Sequence, residues 1–103
     1  MRHVKIRPLA WQDISETAEY LESQSGLELA ERFLNAIIAD LELLSKMPQM
    51  GALCGFQSSE ARDIRRWPVT NFERWLLFYK PLDSEIEIAR VLHGAQDINA
   101  ILD

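Results

Sequence analysis

Apolar residues follow a period of two at the start of the chain, a helical period through its first half, and a period of two again later. In "HVKIR", Val4 and Ile6 alternate with polar neighbours, as in a half-buried strand. Pro8 closes that strand and suits the first turn of a helix, where a missing N–H costs nothing. From there Trp11, Ile14, Ala18 and Leu21 fall on one helical face, with Asp13, Glu16, Glu19 and Glu22 mostly turned away from it. "SQSG" (23–26) breaks this helix. A longer helix over 27–46 carries Ala30, Phe33, Ile37, Leu41 and Leu44 as one stripe, widened by Leu34 and Ile38, and Pro48 and Gly51 end it. Two helices with so short a break pack as an antiparallel hairpin. "GALCGFQSSE" reads as loop.

Three strands are predicted after the loop. "ARDIRRWPV" (61–69) is the first, with Pro68 at its end. "FERWLLFYK" (72–80) is almost wholly apolar in its middle, as a central strand buried on both faces is. "SEIEIARVL" (84–92) alternates Ile86 and Ile88 with Glu85 and Glu87. The links "PVTN" and "PLDS" are short enough for hairpins. "GAQDINAIL" ends as a short helix. The order is β-α-α-β-β-β-α, an α+β fold with a mostly antiparallel sheet and a helical hairpin on one side.

Composition narrows the functional classes. A chain of 103 residues reads as one domain, over 1–103, with one core. The net charge of −5 argues against a coat of basic residues for non-specific nucleic-acid binding. The charge is uneven. Residues 8–45 hold eight acids against one base, Arg32, whereas Arg62, Arg65, Arg66, Arg74 and Lys80 outnumber Asp63 and Glu73 in residues 62–80. Cys54 is the only cysteine, so an internal disulfide and a cysteine-based zinc site are both excluded. No apolar signal core opens the chain and no run approaches ~18 apolar residues, so a soluble, cytoplasmic protein with no membrane partner is expected.

Chemistry concentrates at two places. The first is "RVLHGAQD" (90–97). A His93–Asp97 dyad would suit general acid–base work, but no nucleophile stands beside it, and His3 is the one other histidine, which leaves a metal site without ligands. The structural reading of Arg90, His93, Gly94 and Asp97 needs less: Gly94 permits unusual backbone angles where strand turns to helix, and Asp97 accepts from the helix's free N–H groups. On this reading Arg90 reaches the Asp97 carboxylate and locks the last helix to the sheet. The second place is the basic strand region. Arg65, Arg66 and Arg74, with Tyr79, are the target-binding candidates, suited to a phosphate backbone and an aromatic base. Solvation or pairing with Asp63, Glu73 or Glu87 is the plainer reading of any one arginine. Trp11, Phe33, Trp67, Trp75 and Phe78 are assigned to the core, with Trp67 and Phe72 the most exposed near the hairpin end.

The order of elements and these residues together resemble the RelE/ParE superfamily of bacterial toxins, the ParE branch above all. The resemblance runs from Pro8, Ala10, Asp13–Ile14 and Tyr20–Leu21, through Ala30, Phe33, Leu44 and the "P-x-x-G" of Pro48 and Gly51, to "DIRRWPV", the "LLFYK" strand and "IEIARVLHGAQDI". Its most specific part is "RVLHGAxD" after "LxFYK". The chain departs from the family at Gln96, where a basic residue is common, and this makes Gln96 a further target-binding candidate. The resemblance implies the toxin of a type II toxin–antitoxin pair, inhibiting DNA gyrase without being a catalyst and needing no cofactor. It implies a cognate antitoxin as partner and no sequence-specific nucleic-acid binding by the toxin alone. Apolar grooves by the hairpin and the sheet edge suit that partner, and the acidic hairpin favours an antitoxin tail rich in Arg or Lys. The alternatives are a RelE-like ribosome-dependent mRNA endonuclease, in which such basic and aromatic residues carry the chemistry, and a non-toxic antitoxin-binding module. The end "INAILD" has no Tyr after Tyr79, unlike the RelE type.

Overall fold

The computed structural model describes residues 2–103. Its elements are β1 (His3–Ile6), α1 (Pro8–Ser25), α2 (Leu27–Lys46), β2 (Ala52–Leu53), β3 (Arg65–Val69), β4 (Phe72–Pro81), β5 (Glu85–His93) and α3 (Ile98–Leu102). They form a five-stranded sheet in the order β1-β5-β4-β3-β2, antiparallel except where β1 lies parallel to β5. The parallel pair follows from the chain's path. The hairpin α1–α2 is the crossover, carrying the chain away from β1 before the antiparallel run begins.

The helical boundaries follow local chemistry. Pro8 opens α1 at its first position, and Gly26 separates the helices with a φ of 94°, a left-handed angle that spares glycine the Cβ clash. Two differences from the predicted elements arise in the middle of the chain. The segment expected to be wholly loop contains β2, a two-residue strand on Arg65 and Arg66. The strand expected from residue 61 begins at Arg65, because Ser58–Ile64 folds as a compact turn whose backbone closes on Ser58 and Ala61 carbonyls.

The sheet is covered on both sides. Against the hairpin lie Leu77 and Tyr79 of β4 and Ile86, Ile88 and Val91 of β5, packed with Ala10, Ile14, Phe33, Ile37 and Leu44. Beneath, Phe78 and Leu92 meet Phe56, Ala61 and Ile64, with Ile98 and Leu102 of α3 alongside. Thus β4 is buried on both faces, as its apolar run predicted. A shift in the β4–β5 register leaves Ala89 without an opposite residue: Tyr79 stands across from Ile88, but Phe78 stands across from Arg90. This bulge reverses the alternation of β5, so that Val91, not Arg90, points to the helices.

Of the aromatic residues assigned to the core, Phe33 and Phe78 are buried, and Trp67 and Trp75 are half-buried. Trp11 is not a core residue. It is 56% exposed, because the inward face of α1 is set by Ala10, Ile14 and Leu21 and leaves Trp11 at its flank. Asp40, buried in α2, accepts from the N–H and hydroxyl of Thr70 (2.9 and 2.7 Å) and so ties α2 to the β3–β4 turn.

Candidate functional site

The basic region divides into anchored and free groups. Arg65 is anchored: its guanidinium donates to the carbonyls of Gln49 (3.2 Å) and Gly51 (2.7 Å) and to the Gln49 side chain (2.8 Å). Tyr79 is more firmly held. It is fully buried, donates to the Pro48 carbonyl at 2.7 Å and accepts from the Gly51 N–H at 2.9 Å. Burial pushes its phenol up from the ordinary tyrosine value, against an opposing pull from the Gly51 N–H. Gly51 is fixed by close approach, since a Cβ there would stand 2.6 Å from the Tyr79 hydroxyl and 2.8 Å from the Arg66 carbonyl. Pro48, Gly51, Arg65 and Tyr79 therefore form one latch that pins the end of α2 to β3 and β4. Tyr79 is removed from the target-binding candidates on this geometry, and the burial that removes it also explains the "P-x-x-G" spacing.

Arg66 and Arg74 are exposed. Arg66 stands opposite Phe78, and Arg74 shares the alternation of Leu76 and Phe78, so both project from the sheet face opposite the hairpin. Neither side chain bonds to another described residue through a hydrogen bond or ion pair. Lys80, on the same strand, donates to the Glu60 carbonyl at 3.0 Å. Cys54 packs beside this face half-buried, and desolvation raises its thiol above the usual value although Arg66 pulls it the other way. A thiol raised in this way is a poor nucleophile.

The segment after β5 is a set of local caps. The Gly94 N–H donates to the Arg74 carbonyl at 2.7 Å. Gly94 does not adopt a left-handed angle, and a Cβ would meet the Arg74 carbonyl at 3.5 Å, an ordinary contact; the backbone freedom expected of it is unused. His93 Nδ1 accepts from the Ala95 N–H (3.0 Å), and the exposed Gln96 accepts from the His93 N–H (2.8 Å). Asp97 caps α3 by accepting from the Ala100 N–H at 3.2 Å, as its place before the helix predicted. His93 and Asp97 serve separate backbone groups.

Arg90 does not pair with Asp97. Its Nε and Nη2 donate to the two carboxylate oxygens of Asp13 on α1 (2.7 and 2.9 Å), and the Val91 N–H donates to the same carboxylate at 3.0 Å. The physical reason lies in the sheet. β1 pairs β5 only through Ile88, so the N–H groups beyond it face an open edge along which α1 runs. Asp13 completes that edge by accepting from the Val91 N–H, and the Arg90 guanidinium reaches round the edge to the same carboxylate. The forked, partly buried contact holds the Arg90 guanidinium above its usual value, chiefly through the Asp13 hydrogen bonds. Sequence reading passed over Asp13 as an outward acid. The available signal was its position one residue before buried Ile14, at the flank of the inward face. At the other end of β5, Glu87 accepts from Arg7 and lies 3.7 Å from Lys5, and the Arg7 hydrogen bond lowers its carboxyl below the usual range.

Among the described residues, no three His, Cys, Asp or Glu side chains are grouped to hold a metal ion, and no helix is long and apolar enough to cross a membrane. These features describe a small α+β protein whose free basic chemistry lies on the sheet face opposite the hairpin. The comparisons make the class specific. The family model described as the ParE toxin of the type II toxin–antitoxin system, parDE, matches residues 4–98, and the chain belongs to that family. Among solved structures it is similar to a chain of the chromosomal ParDE toxin–antitoxin system from P. aeruginosa, with a TM-score of 0.72 and 19% identity over 90% of this chain and 96% of that one. No curated protein matches by sequence.

Proposed function

We propose that this toxin arrests growth by binding DNA gyrase and holding it with cleaved DNA, and that a cognate antitoxin neutralises it. Family membership supports the toxin class. The observation that carries the choice of mechanism is the burial of Tyr79, with both hydrogen-bonding functions of its hydroxyl used inside the fold. An RNA-cleaving toxin needs groups free to move a proton and to stabilise charge developing at phosphorus. Here the aromatic hydroxyl nearest the basic strands is structural, and Arg65 is bound to backbone carbonyls. What remains free in the basic region, Arg62, Arg66 and Arg74, suits a binding surface rather than an acid–base pair. A toxin that works by occupancy requires no more than that.

The test is made in cells. Expression of the chain is titrated while a DNA-damage reporter and the integrity of mRNA are followed. The reading expects the damage response at the level that stops growth, with mRNA intact. Cleavage of translated mRNA without DNA damage would replace it with the RelE-like mechanism. Absence of any growth defect from the folded chain would leave a non-toxic antitoxin-binding module.

A further inference from the structure

A cleft of about 490 Å³ opens where the start of α1 and the middle of β5 face the Ser58–Ile64 turn and the end of α3. The chain's path leaves it open. β1 pairs with β5 no further than Ile88, so no strand lies beside Ala89, and Ala89 itself offers only a methyl group. The floor is apolar: Ala61, Ile64 and Ala89 are all buried. The rim is apolar too. Leu9 on one side is 54% exposed and Ile101 on the other 38%, and both line the cleft.

Its charged groups divide by side. Arg7 and Arg90 stand on the α1 side, both half-buried. Each guanidinium spends Nε and Nη2 on one carboxylate, that of Glu87 for Arg7 and that of Asp13 for Arg90. The Nη1 of each makes no hydrogen bond to a described residue, so two donor groups remain unspent on that wall. The opposite wall holds acids. The Asp103 carboxylate is taken up by the N–H groups of Gln57 (3.0 and 3.1 Å) and Ser58 (2.8 Å), which fixes the end of α3 against the turn. Glu60 is exposed and has no ion pair within the described residues. An anion entering the cleft is therefore drawn to one wall and repelled by the other.

We propose that this cleft binds a small aliphatic carboxylate, its head on the Nη1 groups of Arg7 and Arg90 and its chain laid over Ala89, Ala61 and Ile64 towards Ile101. Guanidinium donors match the two oxygens of a carboxylate, and the floor and rim take hydrocarbon. A bare inorganic anion leaves the apolar floor uncovered. An uncharged chain gains nothing from the arginines, and a cationic one meets them with the wrong sign. Arg66 and Arg74 take no part in the cleft, so the inference stands apart from the reading of function given above.

The test uses the folded full chain, with octanoate and hexanoate as probes, octylammonium and octan-1-ol as chain-matched controls, and inorganic phosphate as the anion without a chain. Binding is followed by calorimetry and by hydrogen exchange. Octanoate is expected to bind saturably at about 1 mM or below, and hexanoate more weakly by about 2- to 4-fold for each methylene removed. Octylammonium, octan-1-ol and phosphate should each bind at least ~10-fold more weakly than octanoate. Protection should appear in the Ser58–Ile64 turn and α3. Arg7→Met removes one head contact while Lys5 stays beside Glu87, and Ile101→Glu sets a carboxylate on the exposed rim; each should weaken octanoate by about 10-fold. Ile38→Glu, an equally exposed change on α2, should not. Melting curves establish that each variant folds, and Ile101→Glu alone decides if Arg7→Met does not. Absence of saturable binding, equal binding of octanoate and octylammonium, or octanoate binding unchanged by Ile101→Glu would overturn the inference. So would protection confined to the hairpin with loss in Ile38→Glu, which places the chain on the exposed helices instead.

Discussion

Arg90 and Asp13, 77 residues apart in sequence, meet in a two-pronged ion pair that fastens α1 along the open edge of β5. The Asp13 carboxylate also takes the Val91 N–H, so one side chain closes the sheet where β1 stops. Asp13→Ala is expected to cost about 2–4 kcal/mol, because it leaves a partly buried guanidinium and an edge N–H without their acceptor. Asp97→Ala removes only the cap of a short exposed helix and is expected to cost about 1 kcal/mol. Urea unfolding of both variants decides the order; a larger loss for Asp97→Ala would contradict the assigned pairing.

The Tyr79 latch makes a second prediction. Tyr79→Phe keeps the ring and removes one oxygen, leaving the Gly51 N–H and the Pro48 carbonyl without their partner. A loss of about 1–3 kcal/mol is expected, with the fold retained. Gly51→Ala is expected to cost more, since its new Cβ meets both the Tyr79 ring and a backbone carbonyl below 3.0 Å. Thermal unfolding of the two variants checks this. Unchanged stability in both would mean the latch does not hold α2 to the sheet.

Acid should loosen the β1 end. Glu87 has its carboxyl lowered, first by the Arg7 hydrogen bond, from an ordinary value of 4.5. A group lowered in the folded state binds its proton more readily when unfolded. Its stabilisation is therefore complete above about pH 4.5 and is lost as pH falls through the folded value. Glu87→Gln should flatten that part of the stability–pH curve and leave the neutral region parallel to the parent. An unaltered acid limb would show that the contact with Arg7 carries no stability.

The free and anchored arginines should separate in activity. Arg66→Ala and Arg74→Ala remove exposed groups and should leave the melting temperature within error. Each is expected to weaken toxicity partially, by about 1–2 kcal/mol of target affinity, in a way that higher expression restores. Arg65→Ala should lose stability first, because three hydrogen bonds to the Gln49–Gly51 segment go with it. Complete loss of activity in folded Arg66→Ala or Arg74→Ala, irrecoverable at high expression, would point to a catalytic group.

Most of the fold was legible because periodicity reports local burial. The helical hairpin, the doubly buried β4 and the short last helix all follow from it. What it could not report was the bulge at Ala89. The alternation of Ile86 and Ile88, carried on unbroken, turns Arg90 towards the helices and Val91 away, and one extra residue reverses both. The same local view gave Arg90 the next acid along the chain, Asp97, whereas the acid it meets in space arrives from α1. Tyr79 reads as a target-binding aromatic among arginines, yet strand parity and the close approach of Gly51 bury it. Trp11 failed for a simpler reason. A wide helical stripe does not say which flank remains uncovered, and Trp11 lies on the uncovered one.

The central claim is occupancy of gyrase without chemistry by the toxin. The most direct measurement is made with purified gyrase, supercoiled DNA and the folded chain, trapping cleaved DNA as the toxin is titrated. The account predicts loss of supercoiling and accumulation of gyrase-linked breaks in proportion to toxin bound, shifted to higher concentration but not abolished in Arg66→Ala and Arg74→Ala. Full supercoiling with saturating toxin, beside codon-positioned cleavage of mRNA in a translating extract, would contradict it.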